Sequence, residues 1–215
     1  MPSLLIIYHL KKYFKNVARF IKKNLFCAIS VTMEKLLYRI QFLDDQLAFK
    51  AFYQQQVFRL YQFAFTFLKH RQQAEEIVND VFVKLWQKRH MLDKVANIKV
   101  YLYVAVKNAA LNQLRTATVF CETDLDNLHV QHFQLSPNTA DLLLTHELES
   151  AIAKAVQQLP PKCKLIFKLV KQDGLSYKEV ANILGISPKT VDAQLTIALK
   201  KLAQLLEPFL QHATA

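Results

Sequence analysis

The stretch GLSYKEVANILGISPKTVDAQLTIALKKL, residues 174–202, decides the fold of the C-terminal part of this chain. The protein has only two glycines, Gly174 and Gly185, and they bracket the segment SYKEVANIL. Glycine is the residue that most readily turns the backbone at the end of a helix. Within the segment, Ser176 and Glu179 have the spacing of a reciprocal capping box. The stretch therefore predicts a short helix that begins and ends sharply.

A second helix is predicted immediately after this one, with Ser187 as its N-cap and Pro188 at its first position. Two helices joined by so short a turn cross steeply and pack through apolar residues that face each other. The apolar residues at helical spacing are Val180, Ala181, Ile183 and Leu184 on the first helix and Val191, Leu195, Ala198, Leu199 and Leu202 on the second. The opposite face of the second helix is expected to enter a DNA major groove, although a basic outer face also suits an ordinary small helical domain. That face carries Lys189, Ala193, Ile197 and Lys200.

The composition of the whole chain favours an all-α fold. Of 215 residues 52% are hydrophobic, whereas only two are glycine and six are proline. The apolar residues recur at intervals of three and four rather than two, which is the period of a helix. This length accommodates one large or two small domains. We expect two small helical domains joined by a linker.

The chain is strongly basic, with 28 Lys and Arg against 17 Asp and Glu and a formal net charge of +11. Such a charge predicts an anionic partner, either nucleic acid or a membrane surface. More than half of the excess lies in residues 1–32, which contain six Lys and Arg and no acidic residue. The remainder of the protein is therefore only moderately basic.

Several classes of protein are disfavoured by the sequence. Cys27, Cys121 and Cys163 are isolated, without a CxxC or a paired histidine spacing, so neither a disulfide framework nor a zinc site is expected. Reduced cysteines favour the cytoplasm. No uncharged apolar run approaches the roughly 18–20 residues that span a bilayer. The chain also lacks a P-loop, a GxSxG and an HExxH motif, so we expect no enzyme activity, no catalytic residue, no cofactor and no metal.

Residues 1–32 allow three interpretations. The run LLIIYHLKKYFKNVARFIKKNLF is compatible with a basic amphipathic helix on a membrane surface. The following LFCAISV resembles a short signal-peptide core without a convincing cleavage site. The composition changes at Met33 to ordinary mixed charge, which favours an appended or misassigned leader. We assign residues 1–43 to a basic N-terminal extension.

The region 44–115 is helical in pattern and rich in aromatic residues, and it is predicted to form the first domain. Its first candidate core residues are Leu47, Phe49, Phe52, Val57, Leu60, Tyr61, Ala64, Phe65 and Leu68. The next segment, AEEIVNDVFVKLW, has an apolar stripe of Ala74, Ile77, Val78, Val81, Phe82 and Leu85. Glu75, Glu76, Asn79 and Asp80 lie on its other side. Acids near a helix start suit the helix dipole, but a compact acidic patch in a basic protein also suits docking of a basic partner.

A loop is predicted over MLDKVANIK, residues 91–99, because the segment has no clear period. Helical spacing resumes in YLYVAVKNAALNQLR, which carries Lys107 and Arg115. Tyr101 and Tyr103 cannot both point inward from one helix, so at least one is expected to be exposed beside these cations. Aromatic side chains interleaved with positive charge are what exposed bases stack on, although tyrosines also line the rim of a core.

The second domain is predicted after a linker. Residues 116–138 lose the helical period and end in Ser-Pro-Asn, which is typical of an interdomain linker. The domain itself is assigned to residues 139–207, with a helix from about residue 140 to 159 and another over KCKLIFKLVKQ before the helix pair. Pro208 is expected to end the last helix, which leaves residues 208–215 as a tail.

Two separated motifs occur in the order found in one family. The first is AEEIVNDVFVKLW with YLYVAVKNAALNQLR, and the second is LPPKCKLIFKLVKQDGLSYKEVANILGISPKTVDAQLTIALKKL. The chain resembles a bacterial RNA polymerase sigma factor of the extracytoplasmic function (ECF) group over residues 44–206. The resemblance implies that the first domain binds core RNA polymerase and melts promoter DNA, and that the second reads the upstream promoter element. It implies an anti-sigma factor as a further partner and no small-molecule substrate.

The resemblance also implies roles for individual residues. The implied polymerase-binding residues are Glu75, Glu76, Asn79, Asp80 and Phe82. The implied promoter-melting residues are Asn97, Tyr101, Tyr103, Lys107, Asn108 and Arg115. The implied DNA-binding residues for the upstream element are Ser187, Lys189, Thr190, Ala193, Gln194, Ile197, Lys200 and Lys201. Gln194 suits adenine and Ile197 suits a thymine methyl, whereas the lysines suit phosphates.

Two alternatives to this interpretation remain at this point. A stand-alone helix-turn-helix regulator would bind its operator without polymerase and would use residues 44–115 for sensing or dimerisation. A membrane-surface or scaffolding protein would depend on the basic leader and would act without the helix-turn-helix. The first alternative differs from a sigma factor in binding DNA without core RNA polymerase. The second differs in keeping its activity after deletion of the helix-turn-helix.

Overall fold

The computed structural model describes residues 27–117 and 151–212, and all regular secondary structure in these two ranges is helical. The chain divides into two compact units, the first containing the helices before residue 118 and the second most of the later ones. The expected all-α architecture of two small helical domains is thereby confirmed. The leader before Cys27, most of the predicted linker and the predicted helix between residues 140 and 150 lie outside the described residues.

Within residues 27–117, the first unit contains four α-helices and a short 3₁₀ helix. These are α1 (Cys27–Leu43), α2 (Gln46–Leu68), α3 (Arg71–Gln87), the 3₁₀ helix (Arg89–Lys94) and α4 (Ile98–Ala117). Helix α2 packs against α1, α3 and α4, and α3 also packs against α4. Because α2 contacts all three of the other α-helices, it is the centre of this unit.

Helix α1 packs onto this unit, which differs from the predicted domain boundary at residue 44. Met33, Leu36 and Ile40 recur at helical spacing and are buried. These residues contribute apolar area to the core of the first unit.

The predicted apolar stripe of α3 is buried at all six positions, which confirms the helical period of this segment. On α2 the outcome is mixed. Phe52, Leu60, Ala64 and Leu68 are buried as predicted, but Leu47 is 75% exposed. Phe63, Phe67 and the polar Gln56 are also buried, although they were not among the predicted core residues. A helix surrounded by three others buries more than one face, so no single stripe describes it.

The predicted loop over residues 91–99 is replaced in part by the 3₁₀ helix, which ends at Lys94. Leu92 is its buried residue, and the side-chain amide of Gln41 donates to the carbonyl of His90. Ile98 already belongs to α4. A 3₁₀ helix has three residues per turn and not 3.6, so a search for an α-helical period does not detect it.

Two aspartates fix the corner between α1 and α2. Asp45 is the N-cap of α2, and its Oδ1 accepts from the backbone N–H of Ala48 at 2.9 Å. This hydrogen bond, together with Arg39, holds the pKa of Asp45 below its usual value. Asp44 has a left-handed backbone (φ 50°), and the guanidinium of Arg89 binds its carboxylate and lowers its pKa.

The helices described after residue 150 are α5, described over residues 151–157, α6 (Pro161–Phe167), a π-helical turn (Lys168–Gln172), α7 (Tyr177–Leu184) and α8 (Pro188–His212). Helix α6 and its π-helical continuation occupy the predicted KCKLIFKLVKQ helix. Helix α6 packs against α8. The last helix does not end at Pro208 as predicted but continues to His212. Proline removes one backbone donor, and this loss is small near a helix end.

The predicted caps of the helix pair are confirmed. The N–H of Ser176 donates to Glu179 Oε2 at 2.6 Å, and the N–H of Glu179 donates to Ser176 Oγ at 3.3 Å. Gly185 has φ +72°, and the N–H of Ile186 donates to the carbonyl of Ala181 at 3.0 Å, as in a Schellman C-cap. The short turn therefore satisfies backbone groups that both helix ends would leave open.

Gly174 also has φ +72°, and no atom lies within 4 Å of the Cβ that another residue would add. Any cost of substitution therefore comes from the backbone alone. We expect Gly174→Ala to reduce the free energy of unfolding by about 1–2 kcal/mol, measured by urea unfolding followed by circular dichroism. Gly174→Asn is the matched control and should lose less, because asparagine enters the left-handed region more easily. Equal stability of Gly174→Ala and wild type would contradict the backbone explanation.

Candidate protein- and nucleic-acid-binding surfaces

The first candidate surface is the outer side of α3, which we call the acidic face. It consists of Glu75, Glu76, Asn79 and Asp80. All four side chains are exposed, and they lie opposite the buried stripe of the same helix. Helical periodicity thus separates an apolar anchor from a polar surface that carries three carboxylates. Such a surface is complementary to a basic partner.

Two hydrogen bonds order this face. The Nε2 of Gln72 donates to Glu76 Oε1 at 3.3 Å within α3. The hydroxyl of Tyr53, which lies on α2, donates to Asn79 Oδ1 at 2.9 Å. The face is therefore tied to the neighbouring helix at its centre.

Phe82, which the family resemblance placed among the polymerase-binding residues, is only 2% exposed. Its ring makes edge contacts with Phe49, Phe52 and Tyr53, at centroid distances of 6.2, 6.1 and 4.8 Å. A side chain enclosed in this way belongs to the core. Phe82 therefore supports the acidic face from beneath and is not presented to a partner.

The next residue, Val83, is 54% exposed and lies four residues after Asn79, at the end of the acidic face. Val83 was not predicted as a surface residue, although its spacing of three from Asp80 places it on this side of α3. Trp86 lies one turn further and is half-buried, with Phe49 at 4.9 Å and the Arg89 guanidinium over its ring at 4.6 Å. An apolar strip therefore borders the acidic face.

The different positions of Phe82 and Val83 predict different responses to truncation. Phe82→Ala opens a cavity in the core and is expected to reduce the free energy of unfolding by about 3–5 kcal/mol. Val83→Ala is the matched control, with an expected change within about 0.5 kcal/mol because the side chain is half in solvent. Trp86, the only tryptophan of the chain, reports both transitions in urea by its fluorescence. Similar losses in the two variants would contradict the core assignment of Phe82.

The second candidate surface is the outer side of α4. Tyr101 is 37% exposed, whereas Tyr103 is 4% exposed and packs edge-on against Phe63 at 4.9 Å. This confirms that the two tyrosines do not both point inward, and it assigns the exposed position to Tyr101. Tyr103 belongs to the core, so it is not available for stacking on a base.

The other predicted residues of this surface differ in exposure and in hydrogen bonding. Asn108 and Arg115 are exposed and follow Tyr101 at intervals of seven residues, so the three share one side of α4. Lys107 is half-buried. Asn97 is exposed, but its Oδ1 accepts from the backbone N–H groups of Lys99 and Val100. Its observed role is to cap the start of α4.

The third candidate surface is the outer side of α8. Five residues predicted there are exposed, namely Lys189, Ala193, Ile197, Lys200 and Lys201. The predicted packing residues Val191, Leu195, Ala198 and Leu202 are buried, and Leu199 is half-buried. Ser187 and Thr190 act at the helix start, where Ser187 Oγ accepts from the N–H of Thr190 at 3.0 Å. Their hydroxyls are 2.8 Å apart.

Gln194 lies at the margin of this surface and is half-buried. The Cys163 thiol of α6 donates to Gln194 Oε1 at 3.0 Å. Burial raises the pKa of the Cys163 thiol, which keeps the proton available for this bond. The side chain that the sequence suggested for reading adenine is thus anchored to α6.

Asp192 and Thr196 are exposed on α8 and were not selected from the sequence. Asp192 follows Lys189 by three residues, and Thr196 lies three residues after Ala193 and four before Lys200, so helical spacing is the signal that could have found both. Partial burial raises the pKa of Tyr177, and the Asp192 carboxylate raises it further. Asp192 therefore adds negative charge beside the lysines of α8.

Within the described ranges, no group of three or more His, Cys, Asp or Glu side chains is arranged to hold a metal ion. None of the helices there is both long and apolar enough to cross a membrane.

Two family models match the chain, and together they cover more than half of it. Residues 52–119 match Sigma-70 region 2, and residues 149–202 match Sigma-70, region 4. Region 2 therefore contains the acidic face of α3 and the outer side of α4, and region 4 contains the helix pair.

Curated relatives agree with these matches. The ECF RNA polymerase sigma factor RpoE of Cereibacter sphaeroides is 24% identical over 133 residues, which are 61% of this chain and 71% of the relative. The ECF RNA polymerase sigma-E factor of Escherichia coli K12 is 22% identical over 144 residues, which are 64% of this chain and 75% of the relative.

Two solved structures are also similar. CnrH in complex with the cytosolic domain of CnrY has a TM-score of 0.47 and 20% identity, and the match covers 83% of this chain and 96% of that one. The sigma factor RpoE of Bartonella quintana, in complex with the anti-sigma factor NepR, has a TM-score of 0.47 and 23% identity, with coverage of 74% and 98%.

Proposed function

Because this chain belongs to the ECF group of the sigma-70 family of RNA polymerase sigma factors, we propose that its two helical units divide the steps of transcription initiation between them. The first unit binds core RNA polymerase and opens promoter DNA, and the second reads the upstream promoter element. The observation that carries this proposal is the presence of an acidic face on region 2 and a basic outer helix face on region 4 of the same chain.

The acidic face of α3 is the proposed site for core RNA polymerase. Its carboxylates are exposed, and one of them, Glu76, accepts a hydrogen bond from Gln72, whereas the apolar stripe behind them is buried. Val83 adds an exposed apolar residue at the edge, and protein interfaces commonly combine an apolar centre with charged residues around it. This surface is suited to a basic partner helix.

The outer side of α4 is the proposed site for the separated promoter strand. Tyr101 offers an exposed ring for stacking, Asn108 offers an amide for base edges and Arg115 offers a cation for phosphate. Base–aromatic stacking contributes about 1–3 kcal/mol per base, so one ring can help to hold a base outside the duplex. Asn97 contributes here through its cap on α4, which fixes the start of the helix.

The outer side of α8 is the proposed reader of duplex DNA. Ala193 and Ile197 are the apolar residues suited to a thymine methyl group, and Lys189, Lys200 and Lys201 are suited to phosphates. Ser187 and Thr190 are proposed to act through the helix start, where backbone N–H groups face a phosphate. Because Gln194 Oε1 already accepts from the Cys163 thiol, Gln194 is proposed to contribute little to base recognition.

The cytoplasm is the proposed location of this activity, in keeping with the unpaired cysteine pattern. An anti-sigma factor is a further proposed partner, implied by the family resemblance. The acidic face of α3 and the basic face of α8 are exposed surfaces that such an inhibitor would cover. The stand-alone regulator is not favoured, because its sensor or dimerisation domain is replaced here by a Sigma-70 region 2.

Dependence on core RNA polymerase is the central test. A DNA pool with randomised promoter elements is incubated with the full chain, with or without core enzyme, and analysed by gel shift and transcript formation. We expect retention and transcripts only with core enzyme. Equal retention without core enzyme would contradict the proposal and identify a stand-alone regulator.

The double variant Glu76→Ala and Asp80→Ala tests the acidic face in the same assay. Each exposed ion pair contributes about 0.2–1 kcal/mol, so the affinity for core enzyme is expected to fall by about 2- to 30-fold. Glu34→Ala is the matched control, because Glu34 is an exposed acid of α1 that does not belong to this face. A loss of the same size in the control would assign the effect to net charge.

The variants Lys200→Ala and Ile197→Ala separate phosphate contact from base reading. Lys200→Ala is expected to weaken DNA binding of the holoenzyme uniformly across sequences and to reduce the salt slope by about one. Ile197→Ala is expected to leave the salt slope unchanged and to relax the preference at one base pair. Sequencing of the retained pool at several salt concentrations measures both. A uniform loss for both variants would exclude base reading by Ile197.

A further inference from the structure

Tyr53 is the residue through which α2 reaches the acidic face of α3. Its hydroxyl donates to Asn79 Oδ1 at 2.9 Å, although the two residues are 26 positions apart in the chain. Asn79 is exposed, and it is the only residue of the acidic face that can both donate and accept hydrogen bonds. The hydrogen bond from Tyr53 therefore acts on Asn79, the side chain of this face that can bind both donors and acceptors.

The ring of Tyr53 is itself held in place. It is half-buried and packs edge-on against Phe82 at a centroid distance of 4.8 Å. Phe82 is enclosed in turn by Phe49 and Phe52. Because aromatic rings in a core occupy defined rotamers, the Tyr53 hydroxyl has a fixed position relative to α3.

This arrangement orients the amide of Asn79. With Oδ1 accepting from Tyr53, the amide cannot rotate without losing that bond, and both N–H donors of Nδ2 remain for a partner. The neighbouring Glu76 and Asp80 are carboxylates, which only accept hydrogen bonds when ionised. The acidic face thus presents one oriented hydrogen-bond donor, the Asn79 amide, between the carboxylates of Glu76 and Asp80. A complementary partner has cations that face the carboxylates and, between these cations, a carbonyl or carboxylate oxygen that accepts from the amide.

We propose that Tyr53 is a positioning residue of the polymerase-binding surface, which fixes the Asn79 amide so that it donates to an acceptor on core RNA polymerase. The inference rests on the proposed function of the acidic face and adds a residue from α2 to it. Immobilising a side chain on binding costs about 0.5–1.5 kcal/mol, and a side chain that is already fixed avoids most of this cost. Tyr53 therefore increases affinity without contacting the partner.

The test is Tyr53→Phe in the full chain, because this change removes the hydroxyl and retains the ring against Phe82. Binding to core RNA polymerase is measured by titration with a fluorescent label placed on the tail, and the melting temperature of the free protein is measured in parallel. We expect the affinity to fall by about 2- to 10-fold with an unchanged melting temperature. A purely structural role would lower the melting temperature and leave the affinity of the folded protein unchanged.

Tyr61→Phe is the matched control, because Tyr61 is a half-buried tyrosine of the same helix that stacks on Phe65 at 6.2 Å. Its affinity for core enzyme should equal that of wild type. A second measurement uses Asn79→Ala, in which Tyr53 has no amide to orient. Adding Tyr53→Phe to Asn79→Ala is expected to cause no further loss, because the hydroxyl acts through Asn79.

The outcomes distinguish this inference from the proposed function. The role of Tyr53 would be overturned by Tyr53→Phe binding core RNA polymerase with wild-type affinity. It would also be overturned if Tyr53→Phe lowered the affinity equally in the wild-type and Asn79→Ala backgrounds. Either result would leave the polymerase site intact. Failure of wild-type protein to bind core enzyme, or unchanged binding in the Glu76→Ala and Asp80→Ala double variant, would overturn the polymerase site itself.

Discussion

The packing of α3 against α2 through the aromatic cluster of Phe49, Phe52, Tyr53 and Phe82 is the interaction on which the first unit depends. It buries the apolar stripe of α3 and so determines which side of that helix faces solvent. Because side chains at intervals of three and four share a face, burial of Val78 and Phe82 leaves Glu76, Asn79 and Asp80 outside. The exposure of the proposed binding surface is therefore a consequence of the core contact beneath it.

The second unit depends instead on backbone geometry at the ends of short helices. Helix α7 has only eight residues, and an isolated helix of that length is marginal in water. Its capping box at Ser176 and Glu179 and the left-handed Gly185 satisfy the groups that its ends would otherwise leave open. Val180 and Ile183, which lie three residues apart on this helix, are both fully buried. This local chemistry fixes where α8 begins and which residues it exposes.

The sequence predicted the elements whose signals are local. The glycines, the serine caps and the stripe of α3 needed no knowledge of neighbouring helices, and all were confirmed. The sequence did not predict which face of α2 is buried, because three helices pack around it. It also missed the bonds from Tyr53 to Asn79 and from Cys163 to Gln194, which join residues 26 and 31 positions apart. Such contacts arise from tertiary packing, so no pattern along one helix contains them.

The distribution of charge argues that DNA binding by this chain depends on its polymerase. The outer side of α8 offers Lys189, Lys200 and Lys201 for phosphates, but Asp192 lies on the same helix and opposes them. Each neutralised phosphate contributes roughly one unit to the salt slope, so about three contacts give weak and salt-sensitive binding. The carboxylates of α3 would repel DNA and therefore require a different, basic partner. Under the proposed function, the partner supplies the positive charge that the chain lacks, so a moderately basic body is sufficient for promoter binding.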